Sequence, residues 1–107
     1  MRFLMTTMGG GTPPDEKMYA EMGRFVEELT KQGVLLATGG LAPGGTHITS
    51  SGGKITVTDG PFTESKETIV SFALIEARSK EEAIEWSKRF WQIAGDGEGD
   101  IREVFGP

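Results

Sequence analysis

Cysteine is absent from this chain of 107 residues, and histidine occurs once, at His47. The first absence excludes disulfides, a thiol nucleophile and a thiolate metal site. The second leaves no imidazole pair, and a metal usually takes two or three protein ligands, so no metal site is expected. No apolar run approaches a membrane span, and residues 1–8 lack the apolar core of a signal peptide. The expectation is a cytoplasmic protein without membrane contact. Lysine and arginine number 11 against 16 acidic residues, for a net charge of −5. Nucleic-acid binding wants a basic face, so that partner is not expected either. No residue pattern asks for heme or flavin, and no cofactor is expected. At this length the chain reads as one domain, 1–107, with little margin of core, so association is a natural way to hide more apolar surface.

What the chain has in quantity is glycine, at 16 residues, clustered at 9–11, 39–45, 52–53 and 95–99. These clusters punctuate a regular pattern of elements. Arg2 to Met8 alternates as a strand. The three glycines that follow lack the spacing and the Lys-Ser/Thr ending of a phosphate loop. Thr12 suits a helix N-cap and Pro13 the first helical position. Met18, Met22, Phe25, Val26 and Leu29 then recur at steps of three and four, which makes a core-facing stripe. Tyr19 falls beside that stripe, and Gly33 stops the helix. Val34 to Leu41 reads as a second strand, whose glycines at 39 and 40 suggest a bend or a close approach. Residues 42–53 read as a loop, with His47 in it. Lys54 to Thr58 alternates as a strand. Ile69 to Ile75 is apolar on both parities, as in a strand covered on both sides. Ser79 and Glu82 form a capping box for a second helix that ends at Gly95. A last strand covers 100–105.

The densest chemistry is the run Asp59 to Glu67, DGPFTESKE. Asp59 and Gly60 favour a turn, and Pro61 cannot extend a sheet ladder. The expectation is a hairpin loop joining the strand at 54–58 to the strand at 69–75. Asp59 is a candidate general base or orienting carboxylate, Glu64 or Glu67 a second acid, and Lys66 a stabiliser of developing negative charge. Phe62, His47 and Tyr19 are candidate ligand contacts. The bland reading of the same charges is a turn capped by Asp59, with Lys66 paired to a neighbouring glutamate at the surface.

The run VTDGPFTESKE, with GVLLATGGL before it and REVF at the end, resembles the DGPF-motif branch of the YCII-related family. The resemblance spans nearly the whole chain. It implies a ferredoxin-like α+β subunit that pairs into a dimeric α/β barrel. Some broader relatives are lyase- or dehalogenase-like enzymes thought to use a histidine and an aspartate. Asp59 stands at the family's aspartate, whereas residues 12–28 contain no histidine, and a glutamate common before the leucine of the GGL stretch is replaced by glycine here. Genes of this branch often lie beside sigma factors, which implies a regulatory alternative.

Taken with that resemblance, the element order points to βαββαβ of ferredoxin-like type, with a small inserted strand or hairpin. Two helices blanket one face of the sheet. The two-sided apolar run at 69–75 then needs another cover, and a second copy in a twofold dimer is the simplest. Two functions follow as expectations. One is a small-molecule lyase, isomerase or dehalogenase-like enzyme with the DGPF turn at the rim of its cleft. The other is a non-catalytic module binding a metabolite or a partner protein.

Overall fold

The structure is a computed structural model and describes residues 1–60 and 68–106. Eight elements follow in order: β1 (Arg2–Met8), α1 (Glu16–Lys31), β2 (Leu35–Gly40), β3 (Thr46–Ser51), β4 (Lys54–Asp59), β5 (Ile69–Glu76), α2 (Lys80–Ala94) and β6 (Gly99–Val104). Strands β2, β5, β1 and β6 lie side by side, in that order, in one antiparallel sheet. This is the ferredoxin-like α+β arrangement: the two strands of each βαβ half are separated in the sheet by one strand of the other half, β5 between β1 and β2, and β1 between β5 and β6.

Strand register decides which side chains meet the helices. Phe3 pairs with Ile75, and Met5 pairs with Ala73 on one side and Ile101 on the other. Paired residues share a face. Phe3 and Ile75 are buried together with Phe25 and Leu29 of α1 and Ala83 of α2. The stripe read from the sequence of α1 is therefore the one that packs. On the opposite face Leu4 pairs with Leu74, and Thr6 with Phe72. These residues are only half-buried, because both helices lie on the other side. Gly39 pairs with Phe72, and a Cβ there would come within 3.3 Å of the phenylalanine ring. The close approach expected at this glycine is to a side chain.

Both helices start on a side-chain cap, but α1 starts later than expected. Asp15, not Thr12, is the N-cap, its carboxylate accepting from the Met18 N–H at 2.8 Å. A residue that precedes proline is pushed out of the helical region, and Pro13-Pro14 applies that constraint to both Thr12 and Pro13. Thr12 instead ties down the end of α2: its N–H donates to the Asp96 carbonyl at 2.9 Å, and its hydroxyl accepts from the Asp96 N–H at 2.8 Å. Ser79 caps α2 as expected, accepting from Glu82 N–H at 3.1 Å, and Gly95 closes it at φ 86°.

The middle of the chain departs from the sequence reading. Residues 46–51 are strand β3, not loop, and β4 pairs with β3 rather than with β5. The hairpin turns on Gly52 and Gly53, at φ 57° and 80°. Positive φ at both central residues is what the twist-matched two-residue turn requires, and glycine adopts it without strain. The motif is therefore not the turn of that hairpin; it lies on the connection from β4 to β5. No helix among the described residues is long and apolar enough to cross a membrane.

Candidate functional site

A cavity of about 430 Å³ lies between the helices and the sheet. Met22, Phe25, Val26 and Leu29 of α1 form one wall, and Trp86, Phe90 and Trp91 of α2 face them. The sheet contributes Met5, Thr7, Leu35, Thr38, Ala73 and Ile75. The origin of the space is local. Ala73 and Gly40 are small, and Thr7, Thr38 and Ser71 stand where larger apolar residues would fill the gap.

Polar groups in this lining are few and concentrated. The Thr7 and Ser71 hydroxyls hydrogen-bond to each other across β1 and β5 and are part-buried. Thr38 donates to the Phe72 carbonyl at 2.9 Å. Among the described lining residues the ionisable side chains are Tyr19 and Asp100, both exposed. Such a site selects by shape and apolar contact, with hydroxyls to orient a polar substituent.

The back of the cavity is braced by charge. Arg89 of α2 makes two hydrogen bonds to the Glu28 carboxylate of α1, at 2.6 and 2.9 Å. Its guanidinium lies 5.0 Å from the Phe25 ring centroid and 5.2 Å from that of Trp86. Those two rings are themselves 6.3 Å apart and tilted. The planar fork and the cation–π contacts fix the rotamers of two wall residues. The Arg89 guanidinium also holds the Glu28 carboxyl below the usual carboxylate range.

The residues singled out from sequence are distributed unevenly around this cavity. Tyr19 lines its mouth and is 67% exposed. Asp59 is not among the lining residues; it closes the root of the β3–β4 hairpin, its carboxylate accepting from the Thr46 hydroxyl at 2.8 Å. His47 is exposed on strand β3, the strand that replaces the expected loop. Phe62, Glu64, Lys66 and Glu67 lie outside the described residues. Thr7, Thr38, Ser71 and the α2 aromatics were not singled out. One signal for them was present, since Ser71 is the single polar residue in the run Ile69 to Ile75. Among the described residues, no three His, Asp or Glu side chains gather as a metal cluster would.

The YCII-related domain matches residues 1–105. The chain belongs to the YCII-related family. No curated protein sequence matches it significantly. Among solved structures, the 5-chloro-2-hydroxyhydroquinone dehydrochlorinase TftG of Burkholderia phenoliruptrix AC1100, in complex with 2,5-dihydroxybenzoquinone, is similar in fold. The TM-score is 0.57 at 17% identity, over 100% of this chain and 96% of that one. The YCII-related chain described here thus shares a fold with that dehydrochlorinase over its whole length.

Proposed function

We propose that this YCII-related protein acts on a compact, largely apolar ring compound held in the helix–sheet cavity, as a lyase, isomerase or dehalogenase-like enzyme. The observation that carries the reading is the lining itself: six aromatic rings, from Tyr19, Phe25, Phe72, Trp86, Phe90 and Trp91, together with a part-buried pair of hydroxyls. Flat ring faces suit offset stacking against wall aromatics, and the Thr7–Ser71 pair offers a donor and an acceptor to a ring hydroxyl or carbonyl. The dihydroxybenzoquinone bound by the fold relative is a compact flat ring that carries both hydroxyl and carbonyl groups. In this reading Asp59, which stands outside the described lining of the cavity, is the carboxylate that moves the proton, with Glu64, Lys66 and Glu67 of the same motif beside it in the chain. The DGPF resemblance and the position of Asp59 at the start of that segment support the assignment.

The subunit would work as a homodimer. Leu4, Phe72, Leu74 and Val104 sit half-buried on the sheet face that the helices leave bare, and Val70 beside them is 40% exposed. Sheet-to-sheet pairing would withdraw that surface from water.

A second reading, a non-catalytic binding module, is favoured by one feature: the described cavity lining holds no nucleophile–base pair. A panel of hydroxylated and chlorinated benzenoids separates the two. Thermal shift on the wild type is expected to find stabilising ligands, and Ala73→Leu, which fills the cavity, is expected to abolish the shift. Turnover of a bound ligand that falls at least 100-fold in Asp59→Asn supports the enzyme. Binding without turnover leaves the module, and absence of any shift across the panel removes the ring-compound site.

A further inference from the structure

The β3–β4 hairpin stands apart from the other described elements. Every residue of both strands is exposed, and each strand packs chiefly on the other. The radius of gyration is 16.0 Å, against about 13 Å for a compact chain of this length. The hairpin is an arm of roughly 20 Å.

The arm has two unlike faces. Ile48 pairs with Val57 and Ser50 with Ile55, so these side chains share one face with Thr46 and Asp59. Ile48, Ile55 and Val57 are 63%, 67% and 61% exposed. The other face carries His47, Thr49, Ser51, Lys54, Thr56 and Thr58. A two-stranded hairpin is marginal in water unless its apolar face is packed. Alternation this regular therefore describes a ribbon built to lie on a surface.

We propose that the surface is a second copy of this chain, and that each subunit's arm lies across the other. The inference rests on the dimer stated above. Three further observations select that occupant. The arm leaves the sheet at its β2–β5 edge, where the Leu41 N–H donates to the Val70 carbonyl, and Leu41, Ile69 and Val70 are exposed there. Exposed apolar residues therefore stand at the root of the arm as well as on the arm and on the bare sheet face. The arm carries Lys54 and Asp59 and no other formal charge at neutral pH, so it is neutral while the chain as a whole is −5. The arm therefore adds no like-charge repulsion of its own when it meets an acidic second copy. Finally, three side chains fall well short of the ~800 Å² per partner that a stable interface takes. Twofold symmetry adds the other arm and the sheet faces to one closed interface, and it covers strand edges that would otherwise recruit other chains.

The test uses the full chain. Sedimentation velocity over a dilution series gives the dimer dissociation constant for the wild type and for Ile55→Lys/Val57→Lys. The double variant is expected to weaken the dimer at least 100-fold, with the circular dichroism and melting of the dilute subunit unchanged. Because the chain has no cysteine, Ile48→Cys can carry one benzophenone crosslinker. The expected product is an intersubunit adduct, and an adduct confined within one chain would overturn the arm's assignment. So would a double variant that dimerises as tightly as the wild type, and that result would leave the sheet-to-sheet dimer standing. A wild type that is monomeric at every concentration removes both.

Discussion

The central sheet and the arm are built from the same pattern of alternating β residues, and they end in opposite environments. In the sheet, Ile75 is 1% exposed; in the arm, Ile55 is 67% exposed. The side chains are identical and both sit on antiparallel strands. The difference is the second layer. α1 and α2 lie over Ile75, whereas among the described residues of one subunit nothing buries Ile55. Period-two alternation states that a strand has an apolar face, and leaves open what will cover it.

The largest test of this contrast is a matched pair of truncations. Ile75→Ala is expected to reduce unfolding free energy by about 2–5 kcal/mol, as for other buried aliphatic truncations. Ile55→Ala, measured in the dilute subunit, is expected to stay within about 0.5 kcal/mol, as for an exposed site. Equal losses in chemical denaturation would break the comparison. A loss at Ile55 that grows with protein concentration would sharpen it.

A smaller effect is expected at the arm's turn. Gly53 has φ 80°, and a β-branched residue there is strained by about 1–2 kcal/mol. Gly53→Val should therefore speed amide exchange along β3 and β4 and leave the exchange of β1 and β5 unchanged. Parallel loss of protection in the central strands would show that arm and sheet unfold as one unit.

The smallest effect concerns the helix layer that the arm lacks. Arg89 holds the Glu28 carboxyl below its ordinary range, so the folded chain binds that proton less readily than the unfolded chain. The contribution is full above the ordinary glutamate pKa of about 4.3 and is lost as pH falls through the lowered folded value. The pair is solvent-exposed and correspondingly weak. Glu28→Gln should lower the melting temperature slightly at pH 7, and the difference from wild type should shrink and disappear as pH falls below the ordinary glutamate range. A gap that persists in acid would assign the effect to packing of Arg89 on Phe25 and Trp86 rather than to charge.

Much of the body was legible residue by residue. The α1 stripe, the Ser79 cap, the Gly33 and Gly95 stops and the strand at 69–75 all depend on neighbours a few positions away, and local chemistry states them directly. Thr12 misled because capping preference was weighed without the double proline behind it. Strand β3 was hidden because residues 42–51 are rich in Gly, Ser and Thr, and only Gly52-Gly53 signalled a hairpin turn. The candidate site was less legible. The walls are ordinary core residues, distinguished only by what fails to fill the space between them. Thr7 and Ser71 lie 64 positions apart, and only the β1–β5 register joins their hydroxyls.

The amino-acid sequence by itself determined the order of strands and helices in the body, the faces that turn inward, and the absence of thiol chemistry. These follow from side-chain type and spacing along a few turns of chain. Tertiary structure alone decided that β4 pairs with β3, that a cavity remains between α1, α2 and the sheet, and that an arm projects with its apolar face bare. Those features depend on which distant strands become neighbours and on how much volume their side chains leave between layers, and neither quantity is written in any local window of sequence.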